Sequence, residues 1–90
     1  MEALKHERGH NTQLITMGLL NYGAFVCIPS PIKNGDNTPW ELSASLLGGS
    51  DLGANIVTDK DRLNAMRYYL GACSYNPILW AINIYQIFSY

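Results

Sequence analysis

The stretch K-H-E-R-G-H at residues 5–10 guides the interpretation of the whole chain, because it contains the pattern H-E-x-x-H. On a helix, His6 and His10 lie four residues apart on the same face. Two imidazoles at that spacing can hold one zinc ion, and Glu7 can accept a proton from a metal-activated water. The alternative is a pair of exposed histidines on a frayed N-terminal helix. Gly9 favours that alternative, because glycine weakens a helix by about 1 kcal/mol relative to alanine.

A third metal ligand is offered by the segment Thr38-Pro39-Trp40-Glu41, since a catalytic zinc site needs three protein ligands and one open position. The same segment also fits a capping box. Thr38 suits the N-cap, Pro39 suits the first helical position, and Glu41 falls at the third. Glu41 is therefore either a cap of its own helix or a metal ligand. The small side chains at 43–45 would let two helices approach closely, and they suit ordinary packing equally well.

Composition limits the classes of partner. Ninety residues are enough for one small domain with a modest core, and only 14% of them are charged. A net charge of -1 provides no electrostatic footprint for nucleic acid, so we expect no nucleic-acid partner. Acidic residues lie among the N-terminal basic ones, and no small-residue cleavage site follows. The N-terminus is therefore no convincing signal peptide, which leaves localisation open.

Periodicity and capping signals predict a mainly α chain. They predict helices over residues 2–20, from Pro39 to about Leu47 before Gly48-Gly49, over 59–73 after Thr58, and from Pro77 onwards. Pro29-Ser30-Pro31 is expected to end the first apolar run, and turns within 33–37 and a loop over 50–57 connect the helices. In the third helix, a stripe of apolar residues is predicted to face the core: Leu63, Met66, Leu70 and Cys73.

Two apolar segments, residues 14–28 and 78–88, have competing interpretations. The first is about fifteen residues long, short of the roughly 20 that span a bilayer. Burial in a core is the simplest expectation, and membrane association through both segments is the alternative. Cys27 and Cys73 lie in apolar runs, so we expect two buried thiols rather than a disulfide or a metal pair.

The combination of these motifs resembles metallopeptidase-like domains found at the C-terminal ends of bacterial RHS-repeat and polymorphic-toxin-like proteins. Those domains carry H-E-x-G-H followed by a P-W-E segment. The matching residues here are His6 to Gln13, Gly18, Tyr22, Ile28-Pro29-Ser30, Pro39-Trp40-Glu41, Ala44 and Leu47-Gly48-Gly49. The resemblance covers roughly residues 5–70, and the Trp-Glu segment discriminates better than H-E-x-x-H alone.

This resemblance implies a small zincin-like helical domain at the C-terminal end of a larger protein with an upstream region. Zinc proteases usually place a strand and a supporting helix before this motif, and Met1 precedes His6 by only five residues, so we expect a domain that lacks the usual N-terminal strands. It implies Zn²⁺ as cofactor and a polypeptide as substrate. His6, His10 and Glu41 would be the metal ligands, and Glu7 the general base.

The resemblance does not identify a group that stabilises the transition state. Three tyrosines are candidates because a phenol can donate to an oxyanion: Tyr22, Tyr68 and Tyr69.

A second resemblance is to intramembrane zinc proteases, which also carry H-E-x-G-H ahead of an apolar stretch. They take an aspartate as third ligand from a late asparagine-proline segment. Asn76-Pro77 is present here, but no aspartate follows it, which weakens this resemblance.

Three hypotheses follow from the sequence. The first is a zinc-dependent peptidase domain that cuts peptide bonds through a metal-activated water. The second is a small helical membrane or protein-interaction module in which H-E-x-x-H is fortuitous. The third is a degenerate peptidase that binds zinc for structure only.

Overall fold

Helices account for most of the described chain, which contains no strand, so the predicted mainly α fold is confirmed. The computed structural model describes residues 2–33, 35, 38–51 and 57–89. In chain order its elements are α1 (Glu2–Met17), α2 (Leu19–Tyr22), a π-helical turn (Gly23–Cys27), α3 (Pro29–Ile32), α4 (Pro39–Gly48), α5 (Asp59–Cys73) and α6 (Pro77–Ser89). Most of the predicted turns within 33–37 and of the predicted loop 50–57 lies outside the described residues.

The crossing of α1 and α4 is so close that two positions must be glycine. A Cβ atom on Gly9 would lie 1.6 Å from the carbonyl oxygen of Ala44. One on Gly48 would lie 1.7 Å from the carbonyl oxygen of Lys5. Both separations are far inside van der Waals contact. Gly9 therefore weakens α1 locally but allows α4 to dock against it, and the predicted close approach at the small residues of α4 is found.

Glycine also ends two of these helices, because its backbone can adopt a positive φ. Gly18, with φ 86°, follows the end of α1 at Met17, so the predicted end at residue 20 was wrong. Gly49, with φ 73°, ends α4 close to the predicted position. The predicted start of α5 is confirmed. The Thr58 side chain accepts the backbone N–H of Asp61, and the Asp61 carboxylate accepts that of Thr58.

Aromatic side chains build the core between α4, α5 and the π-helical turn. Trp40 and Tyr68 are fully buried with ring centroids 5.7 Å apart, and Phe25 meets Tyr68 edge-on at 6.1 Å. The Tyr68 hydroxyl donates to the carbonyl oxygen of Phe25. The Trp40 indole N–H donates to the carbonyl oxygen of Lys33 at 3.1 Å. Both polar groups therefore find partners, which removes the main cost of burying these rings.

α5 buries a different face from the predicted one. Leu63 and Leu70 of the predicted stripe are 56% and 62% exposed, while Met66 and Cys73 are half-buried. The residues that α5 buries are Ala65, Tyr68, Tyr69, Gly71 and Ala72. The prediction was wrong because it gave weight to large aliphatic side chains. The neighbouring helices instead pack against small residues and against tyrosines whose hydroxyls are hydrogen-bonded.

The first apolar segment is shared between several elements instead of being buried as one piece. Phe25 and Val26 enter the core, whereas Leu19 and Leu20 are 78% and 87% exposed. The chain continues past this segment into α3. Pro29-Ser30-Pro31, which was predicted to end the run, forms its first turn, where proline is tolerated.

Neither cysteine is fully buried, so the prediction of two buried thiols was wrong. Cys27 is exposed, Cys73 is half-buried, and both are free. Cys27 lies in the π-helical turn, where the N–H of Ile28 reaches back to the carbonyl oxygen of Gly23 at 3.0 Å. The additional residue in this turn shifts which side chains face the core, and it turns Cys27 outward.

The second apolar segment forms α6, which packs on α5 with one face. Asn83 is buried and donates to the carbonyl oxygen of Tyr68 at 3.0 Å, and the Trp80 indole donates to that of Ser74 at 2.7 Å. Other apolar side chains of α6 remain largely exposed: Ile78, Ile82, Ile84, Tyr85 and Phe88. No helix in the described ranges is long and apolar enough to cross a membrane.

The close crossing of α1 and α4 makes Gly9→Ala a destabilising change even though alanine favours helices. We expect it to lower the free energy of unfolding by about 3 kcal/mol, because the added methyl group forces the two backbones apart. Urea unfolding with a chelator present measures this effect. Gly23→Ala is the matched control, since a Cβ atom there meets nothing within 4 Å, and it should leave stability unchanged or slightly raised. Equal stability of the two variants would contradict the close crossing.

Candidate metal centre

Three of the residues selected from the sequence meet at the crossing of α1 and α4. His6 and His10 project from one face of α1, four residues apart, and Glu41 projects from the first turn of α4. Their metal-ligating atoms lie within 4.8 Å of one another. The group could hold a metal ion, as the pattern predicted.

The Oε1 atom of Glu41 is the point on which both histidines converge. The Nε2 atoms of His6 and His10 each lie 2.9 Å from it. The two imidazole rings are nearly perpendicular, with centroids 4.6 Å apart. The three side chains are only 11%, 16% and 12% exposed for His6, His10 and Glu41, so the cluster is largely shielded from water.

The orientation of His10 is fixed by a buried glutamine that sequence reasoning missed. Gln13 is completely buried, and its amide nitrogen donates to the carbonyl oxygen of Trp40 at 3.2 Å and to Ser43 at 2.6 Å. The amide oxygen of Gln13 must therefore face His10, whose Nδ1 donates to it at 2.8 Å. This bond aims the Nε2 atom of His10 at Glu41. Its only sequence signal was the spacing of three residues from His10 on the same helix face.

Two serines hold the other members of the cluster. The Oγ atom of Ser45 lies 2.7 Å from Nδ1 of His6, and the hydroxyl of Ser30 donates to Oε2 of Glu41. Ser45 was predicted only as a small packing residue. Ser30 comes from α3 and lies in the Ile28-Pro29-Ser30 segment of the resemblance, which assigned it no role at the site. Each residue of the cluster thus has a second polar partner, as metal ligands in proteins usually do.

The two roles considered for Glu41 are now distinguished, because its side chain binds the histidines and does not cap α4. Thr38 makes no side-chain capping bond, and its hydroxyl donates instead to the carbonyl oxygen of Gly35 at 2.8 Å. The predicted capping box is therefore absent. Tertiary contacts with α1 outweigh a local cap, which contributes only about 1 kcal/mol.

Hydrogen bonding stabilises the ionised form of Glu41. Burial raises the pKa of this carboxyl, but hydrogen bonds from His10, Ser30 and His6 outweigh burial and lower the pKa to about 2. For His10, burial lowers the pKa. Hydrogen bonds to Glu41 and Gln13 outweigh burial, so that the pKa of His10 is raised overall. The cluster thus contains an ionised carboxylate that favours a positive charge on His10.

The residues present fit a small divalent metal ion. A tetrahedral zinc ion with bonds of about 2.0–2.1 Å separates its ligand atoms by about 3.3 Å. The present separations of 2.9 Å between the nitrogens and the shared carboxylate oxygen are within a few tenths of an ångström of this value. All the ligating atoms lie within 4.8 Å of one another, so the group could hold one ion.

Glu7, the predicted general base, is exposed on α1 and makes no hydrogen bond with the described residues. Burial lowers the pKa of His10, and hydrogen bonds to Glu41 and Gln13 raise it. The negative charges of Glu41 and Glu7 raise it further, so Glu7 lies near enough to act on His10 through its charge. Among the tyrosines, Tyr22 is near the cluster, with its ring centroid 6.4 Å from that of His10. Tyr68 is buried against Phe25, and Tyr69 is hydrogen-bonded to Thr16 at 2.6 Å.

Comparison with known proteins adds no relative. No protein-family model, curated protein or solved structure matches the chain. The geometry of the cluster and the chemistry of its residues are therefore what indicate a function.

Because Glu41 is the shared partner of both histidines, Glu41→Gln should reduce zinc affinity sharply, by at least a hundredfold. The amide is a poor metal ligand and carries no charge. Equilibrium dialysis followed by mass spectrometry of the metal measures the effect. Glu7→Gln is the matched control, since it removes a carboxylate from the same region without touching the cluster, and its zinc affinity should be unchanged. Similar zinc affinity in both variants would exclude Glu41 as a ligand.

The hydrogen bond from Ser30 should matter to the metal although Ser30 is not a ligand. Ser30→Ala frees Oε2 of Glu41, and we expect a loss of about 10- to 100-fold in zinc affinity, the usual effect of removing such a partner. Competition with a fluorescent chelator measures it. Ser89→Ala, at the exposed end of α6, should have no effect. An unchanged affinity in Ser30→Ala would show that the carboxylate needs no support from α3.

Proposed function

We propose that this chain is a zinc-dependent peptidase domain that hydrolyses peptide bonds. The observation that supports it most strongly is the convergence of His6, His10 and Glu41 at one point. Each of these side chains is oriented by a further hydrogen bond. This arrangement agrees with sites in which H-E-x-x-H and a glutamate from a later helix provide three ligands and leave one position open.

The donor set supports zinc as the metal. Two imidazole nitrogens and one carboxylate oxygen suit zinc, whereas calcium and magnesium prefer oxygen ligands only. The Nδ1 atom of His10 is occupied by Gln13, so Nε2 is the nitrogen directed at the cluster. When bound, zinc acts as a Lewis acid that lowers the pKa of water and polarises a carbonyl group.

Glu7 is the proposed general base. It directly follows the ligand His6 on α1 and is exposed, so it can take a proton from water at the open position and pass it to the leaving amine. Glu41 keeps to its role as ligand because Ser30 and the histidines stabilise its ionised form. Tyr22 is the proposed donor to the developing oxyanion, since its phenol is the one beside His10.

The polypeptide substrate and the upstream region of a larger protein are part of the same proposal. They come from the resemblance to the metallopeptidase-like domains, whose H-E-x-G-H and P-W-E segments match residues of this cluster. The shielding of the three side chains agrees with a site that excludes bulk water around a metal, which strengthens its electrostatic effects.

If Glu7 is the base, Glu7→Gln should reduce peptide cleavage at least a hundredfold while zinc content stays at about one per chain. Glutamine keeps the shape of the side chain but cannot accept a proton. Cleavage of a quenched fluorescent peptide library and mass spectrometry of the metal are measured on the same samples. His10→Ala is the comparison, because it should lose both zinc and cleavage. Loss of zinc in Glu7→Gln would contradict the assigned role, and zinc without cleavage in the unaltered chain would indicate a metal that serves structure only.

A second candidate function is a small interaction or membrane-surface module. It is favoured by the exposed apolar residues around α2 and α6, of which Leu19, Leu20 and Tyr75 are 78–87% exposed. These belong to or adjoin the segments 14–28 and 78–88. A folded chain that contains no zinc when purified without chelator, and that sediments with lipid vesicles, would support this candidate over the peptidase.

A further inference from the structure

A groove between α5 and α6 lies apart from the metal cluster and shares no residue with it. It encloses about 420 Å³, a volume in the range of small-molecule sites. Leu70, Leu79 and Ile82 form its walls, and these side chains are 62%, 39% and 50% exposed. The groove is therefore an apolar surface that the described chain leaves partly uncovered.

One end of this groove is cationic. Arg67 lies on its lining and makes no ion pair or hydrogen bond with any described residue. A second cleft of about 430 Å³ continues from the same arginine and reaches Lys60, about two helical turns earlier on α5. Asp61 also lines that second cleft, but it is engaged in capping α5 through the N–H of Thr58. Among the described residues no carboxylate lines the groove itself, so none of them there neutralises the guanidinium of Arg67, which can attract an anion.

A hydrogen-bond donor lies beside the arginine. Asn64 and Gln86 share a single hydrogen bond of 2.8 Å between their side-chain amides. Whichever of the two amides donates, the NH₂ group of the other remains available. Arg67 and this amide together form a set of donors suited to a ligand that only accepts hydrogen bonds, and a carboxylate is such a group.

The interior of the groove has a fixed shape. Asn83 is buried and bound to the carbonyl oxygen of Tyr68, and a Cβ atom on Gly71 would come within 3.1 Å of its amide. The glycine thus lets α6 lie close to α5, while the asparagine joins the two helices. The groove is held between two packed helices and does not depend on a mobile loop.

We infer that this groove binds a free straight-chain carboxylic acid of medium length. The carboxylate pairs with Arg67 and the neighbouring amide, and the hydrocarbon chain lies between Leu79 and Ile82. An anionic head and an apolar tail match the two ends of the groove, whereas a neutral or cationic head would leave the guanidinium unpaired or repelled. The inference is independent of the proposed function, because none of these residues contacts the metal cluster.

Octanoate is the probe, titrated into the full chain by calorimetry and by backbone NMR. We expect saturable binding of octanoate, with changes in backbone chemical shift confined to α5 and α6. Octanoate should bind at least tenfold more tightly than 1-octanol, and octylamine should not bind. Octanoate should bind about fifteenfold more tightly than hexanoate, since it has two more methylene groups and each strengthens binding roughly fourfold when buried.

Arg67→Gln should weaken octanoate binding at least tenfold and leave 1-octanol unaffected, while Leu79→Ala should weaken both. Arg62→Gln is the matched control on the same helix, because Arg62 is paired with Asp59 and lies outside the groove. Its affinity for octanoate should equal that of the unaltered chain. Equal binding of octanoate and 1-octanol, or an unchanged affinity in Arg67→Gln, would overturn the inference. So would the absence of binding in a chain that circular dichroism shows to be folded.

Discussion

Direct contact between the backbones of α1 and α4 is the constraint on which the rest of the structure depends. Gly9 and Gly48 have no side chains to separate the helices, and each faces a carbonyl oxygen of the other helix. This contact brings the first turn of α4 to the face of α1 that carries the histidines, so that Glu41 reaches both at 2.9 Å. A methyl group at Gly9 would push the two helices apart and lengthen those hydrogen bonds. Gly9, within H-E-x-x-H, therefore allows α1 and α4 to pack closely, and it also weakens α1 locally.

The same crossing resolves a competition between local and tertiary structure. In an isolated helix, Thr38 and Glu41 would favour a capping box. In the folded chain Glu41 has stronger partners, because two imidazoles and Ser30 surround it in a shielded site where charged hydrogen bonds are stronger than in water. The sequence therefore allowed two roles for Glu41, as a cap of α4 and as a partner of the histidines. Only the position of α1 could decide between them, and that position depends on residues more than thirty positions away.

The sequence was sufficient to predict features that depend on local chemistry. The helical class, the start of α5 at Thr58, the end of α4 before Gly49 and the shared face of the two histidines each follow from spacing, capping or turn residues. What it did not predict depends on distant contacts. Leu63 and Leu70 look like core residues until the tyrosines of α5 find partners for their hydroxyls, and Ser30 has no visible link to Glu41 until α3 folds back. The exposure of Cys27 depends on a π-helical turn for which the residues give no clear signal.

The hydrogen-bond network also explains why the cluster could hold a cation. Because Gln13 uses its amide nitrogen on Trp40 and Ser43, Nδ1 of His10 must donate to its oxygen. The Nε2 atom of His10 then faces a carboxylate, and that contact is favourable only if a proton or a metal ion lies between them. A proton in that position agrees with the raised pKa of His10. A metal ion would replace this proton and would be held by the same three side chains, so protons and metal ions would compete for the cluster.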